Sequence, residues 1–101
     1  MMEKKLKPVH PGKILQEGFL EPLGLSQNKL APALRVPAQR INEIVLGKRG
    51  ITADTALRLG RYFGMSAHFW MNLQARYDLD TAQDALGDRI EHEVQVMKQA
   101  S

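Results

Sequence analysis

Residues 26–52 read SQNKLAPALRVPAQRINEIVLGKRGIT, and the punctuation within them decides the fold. Ser26 stands where a helix N-cap is wanted, its hydroxyl able to accept from a backbone N–H that the first turn leaves unpaired. Leu25 and Leu30 have the N′ and N4 spacing of a hydrophobic staple, so a helix starts at about Gln27. Pro37 pre-sets the first turn of another helix, in which Ile41, Ile44 and Val45 recur at i, i+3 and i+4 before Gly47 stops it. Two short helices joined through Arg35, Val36 and Pro37 match the helix-turn-helix pattern. In that pattern the first helix braces against the nucleic-acid backbone and the second enters the major groove.

The second of these helices is divided by chemistry. Its apolar residues take one side, leaving Gln39, Asn42, Glu43 and Leu46 on the other at i, i+3, i+4 and i+7. A Gln or Asn can bond bidentately to adenine, an Arg such as Arg40 to guanine, and a carboxylate such as Glu43 can accept from cytosine N4. Each good bidentate pair is worth about 1–3 kcal/mol of discrimination. The competing reading is a solvated polar face, with Arg40 and Glu43 a mere i, i+3 ion pair worth a few tenths of a kcal/mol. The flanks favour the first reading. Gln27 sits at a helix N-terminus, where side chain and backbone N–H groups can hold a phosphate, and Lys48 and Arg49 follow Gly47 at the far end.

Outward from this stretch the same punctuation predicts further helices. Pro11 suits a first helical position, Ile14, Leu15 and Phe19 follow at helical spacing, and Pro22 with Gly24 closes the segment. Thr52 is the next N-cap, with Asp54 in the first turn and Ala53, Ala56, Leu57, Gly60 and Phe63 expected on one buried stripe up to Gly64. Ser66 caps a fifth helix whose Phe69, Trp70, Leu73 and Tyr77 are expected in the core. Beyond it, Thr81 could cap a last helix carrying Ala82, Ala85, Leu86, Ile90, Val94 and Met97, interrupted by Gly87. This spare apolar stripe reads either as a dimer seam, as a docking surface, or as a frayed tail that orders on binding.

Charge follows the same division. Residues 1–50 hold nine Lys/Arg against four Asp/Glu, whereas residues 51–101 hold five against seven. The basic half contains the helix-turn-helix stretch, as a polyanion-binding surface requires. No aromatic is interleaved with the basic residues of 26–52, which leaves single-stranded RNA without a stacking platform. Other functions lack their residues. No run approaches the roughly 18–20 apolar residues of a membrane span, no apolar core of a secretory signal follows the N-terminal lysines, and there is no cysteine. These features fit a cytoplasmic protein. His10, His68 and His92 are scattered without metal-ligand spacing, so no metal, cofactor or catalytic residue is expected. GKRGIT only superficially resembles a phosphate-binding loop, because Asn42 and Arg49 occupy positions that the GxxxxGK[ST] motif gives to Gly and to Ser or Thr.

Taken together, HPGKILQEGFLEPLGLSQ (10–27), RINEI (40–44), GKRGITADTALRL (47–59) and the pattern FW.NLQ..YDL (69–79) resemble the HigA/VapI antitoxin branch of the XRE, or Cro/repressor, helix-turn-helix family. The resemblance covers His10 to about Ala82. It implies an all-α, five-helix, lambda-repressor-like DNA-binding domain over 10–80. An N-terminal arm would occupy 1–9, and a C-terminal extension, helical or partly disordered, 81–101. It also implies a homodimer that binds a double-stranded operator, represses its own operon and neutralises a HigB-type messenger-RNA-cleaving toxin. The alternative is a stand-alone XRE-type regulator without a toxin partner. By position, the resemblance places Gln27 on a phosphate, Gln39, Arg40, Asn42 and Glu43 on the recognition helix, and Lys48 and Arg49 in the following backbone-contacting loop. Two residues depart from the family pattern. Arg35 holds a turn position commonly given to glycine, and Pro32 removes an N–H inside a helix, where a kink or a 3₁₀ turn is expected.

Overall fold

In a computed structural model that describes residues 7–98, five helices follow one another and no strand occurs among the described residues. Most of the expected N-terminal arm and the last three residues of the extension lie outside the described residues. The first helix, α1, begins as Pro11–Lys13, continues in π register as Ile14–Leu20 and ends as Glu21–Leu23. The π register was not foreseen. It brings residues five apart into line, and Leu15 and Leu20 are both fully buried. The helix-turn-helix is α2, Gln27–Leu34, and α3, Ala38–Val45. Helix α4 spans Ala53–Phe63 and α5 spans Ala67–Glu93. The N-caps are those expected: Ser26, Thr52 and Ser66 accept from the N–H groups of Lys29, Thr55 and His68. Pro37 is itself an extended N-cap, one residue before the helix it was expected to begin.

The ends of α1, α2, α3 and α4 share one device. After each, a residue takes the left-handed conformation, and the next N–H reaches back five residues, as in Leu25 to Leu20, Val36 to Ala31, Lys48 to Glu43 and Met65 to Gly60. This is the Schellman ending, which glycine favours because it has no Cβ to strain. Gly24, Gly47 and Gly64 fill three of these positions; the fourth is Arg35, at φ 59° and ψ 43°. The chain thus keeps the usual turn geometry between α2 and α3 and accepts a strained residue to do so. Its Schellman contact is apolar, between buried Ala31 and Val36. Pro32 leaves α2 helical throughout, without the expected 3₁₀ turn.

Fully buried Leu15, Leu20, Leu30, Ile41, Ile44, Leu59 and Trp70 make one core to which every helix contributes. Phe19 packs against Phe63 and Trp70 at ring-centroid distances of 5.0 and 4.9 Å. Three expectations change here. Leu57 is 64% exposed, because α4 turns Thr55, Ala56, Leu59 and Gly60 inward. Phe69 is 38% exposed, lying over Trp70 rather than beneath it. Thr81 caps nothing: α5 runs through it, so the boundary expected at residues 80 and 81 falls inside one helix. No Pro breaks α5 there, and i, i+4 pairs such as Arg76–Asp80 and Arg89–Glu93 support its exposed length. Gly87 does not interrupt it either; Gln83 folds over the bare Cα.

One close approach seats the helix-turn-helix on α1. At Gly12 the backbone of α1 touches α3 so closely that a Cβ would overlap the Ile44 carbonyl oxygen. Helix α3 is thereby fixed at its C-terminal end by α1 and along its inner side by buried Ile41 and Ile44.

Candidate nucleic-acid interface

Burial of Ile41 and Ile44 turns Gln39, Asn42 and Leu46 outward, with Glu43 partly covered beside them. The polar side chains of this face fall into two hydrogen-bonded groups. Gln39 Nε2 donates to Glu43 Oε2 at 3.1 Å, and Arg49 lies 2.8 Å from Glu43 Oε1, so the lone carboxylate on this face is bracketed by donors. Asn42 Nδ2 donates to Gln27 Oε1 at 3.4 Å, and Gln27 Nε2 donates to Gln16 Oε1 at 3.4 Å. The structure therefore brings together Gln27, Gln39, Asn42, Glu43 and Arg49. The amide contacts are long for N–H···O bonds, and exchanging them for a ligand's acceptors and donors costs little. Lys48 stands exposed at the end of the same surface.

Arg40 is placed differently. It leaves the outer face for the flank shared with α4, where Nη1 lies 2.8 Å from Asp54 Oδ2. Arg58 also engages Asp54, at 3.1 Å, and donates through Nη1 to the Leu34 carbonyl at the end of α2. The two guanidinium groups, Arg58 foremost, hold the Asp54 carboxyl below its ordinary range. The group is solvent-exposed and screened, so this link orients Arg40 more than it stabilises the fold.

Two residues that the sequence reading left without a role hold the loop carrying Lys48 and Arg49. Gln74 of α5 accepts from the Ile51 N–H at 2.7 Å while donating to Asp78 at 2.9 Å. Across the loop, His10 caps α1 by accepting the Gly12 N–H on Nδ1 at 2.9 Å, and its ring meets the backbone of Arg49. Tyr77 packs edge-on against that ring at 4.9 Å. Desolvation pushes the His10 pKa down, outweighing Asp78 and the Arg49 backbone, which favour the cation. Neutral His10, with its proton on Nε2, satisfies both backbone neighbours. The available signal was the resemblance itself: His10 and Gln74 lie inside its quoted motifs, although nothing in their spacing revealed what they touch.

The helix-turn-helix family matches residues 19–70. Virulence-associated protein I of Dichelobacter nodosus is 56% identical over 81 residues, 80% of this chain and 75% of its own length. The chain belongs to the HigA/VapI branch of the XRE helix-turn-helix family. Another member, the Pseudomonas aeruginosa antitoxin HigA, solved with the higBA promoter, is 53% identical. Its match has a TM-score of 0.87 over 90% of this chain and 99% of the other. A HigA-family addiction module antidote protein from Coxiella burnetii matches at 44% identity and a TM-score of 0.87, covering 91% of this chain and all of its own. Within this family fold, α3 is the second helix of the helix-turn-helix and the polar surface described above is its outer face.

Proposed function

We propose that this chain is a sequence-specific DNA-binding antitoxin that represses its own operon and neutralises a HigB-type toxin. In this reading α3 enters the major groove of an operator. Gln39 and Asn42 read base edges, Glu43 accepts from a cytosine amine, and Arg40 reaches a guanine once it releases Asp54. Gln27, Lys48 and Arg49 contact phosphates and set the register. A homodimer presents two such helices to a near-palindromic site with half-sites about one helical turn, roughly 34 Å, apart. No catalytic role is assigned, and among the described residues no helix is long and apolar enough to cross a membrane. The protein then works in the cytoplasm, on DNA.

The observation that carries the reading is the polar outer face of α3, flanked by Gln27 and Arg49, in a fold that matches a HigA antitoxin solved with its promoter. Its test compares two groups of alanine variants on the chain's own upstream DNA. Gln39→Ala and Asn42→Ala should relax preference at particular base pairs. Lys48→Ala and Arg49→Ala should weaken all sequences alike and lower the salt slope by about one ion per lost phosphate contact. Uniform weakening by the α3 variants would remove the base-reading assignment. Co-expression with a HigB-type toxin tests the antitoxin half: growth arrest that this chain fails to relieve would leave a stand-alone regulator.

A further inference from the structure

Two apolar surfaces stand exposed among the described residues, and their chemistry is complementary. The first is a groove of about 630 Å³ between α2 and α4, lined by Ala33, Leu34, Leu57, Arg58, Arg61 and Tyr62, with Asp54 at its edge. Leu57 and Tyr62 are 64% and 45% exposed there, so the groove is both apolar and cationic. Arg58 is committed to Asp54 and Leu34, but Arg61 is exposed and has no ion-pair partner among the described residues.

The second surface is the distal part of α5. Leu79, Leu86 and Ile90 recur at i, i+7 and i+11, on one side of the helix, at 71%, 40% and 48% exposure. Residues 81–93 carry four carboxylates against one arginine, and Glu93, in an exposed pair with Arg89, lies along an edge of the apolar stripe. At 27 residues, α5 is about 40 Å long. A helix continuous from Ala67 to Glu93 cannot turn back onto the α2/α4 groove of its own chain, since its proximal part is held by Trp70 in the core.

We infer that the groove receives the distal α5 of a second copy, and that the exchange is reciprocal. One two-fold axis then buries Leu57 and Tyr62 under Leu86 and Ile90 twice over, and sets Arg61 beside the acidic edge of the partner's helix. Charge decides the occupant: an acidic, apolar helix fits a groove whose free charge is positive, and this chain carries such a helix. The inference rests on the dimer of the functional reading and identifies its contact surface.

The absence of cysteine makes the test direct. Full-length Leu57→Cys and Ile90→Cys chains are mixed and treated with a short bismaleimide cross-linker. A covalent dimer should form in the mixture and in the double variant, and in neither single variant alone. Cross-linking of Leu57→Cys by itself would place α4 against α4. Cross-linking of Ile90→Cys by itself would pair the α5 helices. Either result overturns the exchange, as does a monomeric wild-type chain in analytical ultracentrifugation. Arg61→Glu should raise the dimer dissociation constant at least tenfold, and an unchanged constant counts against the pairing of charge. Operator binding by the wild-type chain is measured in parallel. If binding persists without the cross-link, only the interface is lost, whereas absent binding removes the functional reading.

Discussion

Replacing Arg35 by glycine should stabilise this protein. Arg35 holds the left-handed position of the Schellman ending between α2 and α3, at φ 59° and ψ 43°. An L-residue there costs about 1–2 kcal/mol through its Cβ, whereas glycine pays back about 0.4–1 kcal/mol through the greater freedom of its unfolded chain. The balance is a gain of about 0.5–1 kcal/mol. For a domain of this size that corresponds to a Tm higher by about 2–8 °C. Arg35→Ala is the control: it removes the exposed side chain but keeps the Cβ, so it should stay within about 0.5 kcal/mol of the wild type. Urea titration at fixed protein concentration, with calorimetry, reads both differences. If glycine proved no more stable than alanine, the strain assigned to this turn would be refuted.

The remaining predictions concern what holds α3 and its following loop. Gln74→Ala leaves the Ile51 N–H without its acceptor, costing about 1–3 kcal/mol in stability and weakening DNA binding without changing sequence preference. The pair Gln74→Glu with Asp78→Asn, which keeps the acceptor and restores the neighbouring donor, should recover the binding measured in a filter or gel-shift titration. Because the folded-state pKa of His10 is pushed below its ordinary 6.5, protonation favours the unfolded chain. Its contribution is intact above that value and is lost as pH falls through the lowered one. A His10→Asn variant, which can still cap α1, should lack this component, and superimposable pH–stability profiles would exclude it. Gly12→Ala places a methyl against the Ile44 carbonyl and should cost about 1–3 kcal/mol by chemical denaturation; an unperturbed variant would mean that α1 and α3 separate easily.

Much of this was legible because helix ends are written in local chemistry. Ser26, Thr52 and Ser66 cap the helices they were expected to cap, and Gly47 and Gly64 end theirs, since each device needs only a residue type at one position. The outward turn of Gln39 and Asn42 followed from the periodicity of Ile41 and Ile44 for the same reason. The errors arose where the deciding partner is distant in sequence or lies on another helix. Leu57 belongs by spacing to an apolar stripe, but the start of α5 at Ala67 comes against the bare Gly60, and the helix buries Thr55, Ala56 and Leu59 while Leu57 is left outside. Arg40 satisfies the pattern of a base reader, yet its rest position is set by Asp54, fourteen residues away.

Helix α5 shows most fully why local reading ran out. Thr81 has the side chain of an N-cap, but a cap forms only where the preceding helix has stopped, and nothing between Tyr77 and Thr81 stops it. Continuity has a mechanical consequence that two separate helices would lack. Gln74 and Asp78, which hold the loop of Lys48 and Arg49, stand on the same rod as the exposed Leu86 and Ile90. A load applied to the distal half therefore reaches the loop through unbroken backbone rather than through a hinge. Inserting two glycines after Thr81 should leave the core folded, because residues 81–93 contribute no apolar side chain to it, and should lower thermal stability only by what the dimer contact supplies. It should nevertheless abolish the Leu57–Ile90 cross-link, since the apolar stripe is turned by about 200° relative to the loop and the core. An insertion that left both stability and cross-linking intact would show that the helix is not acting as a rod.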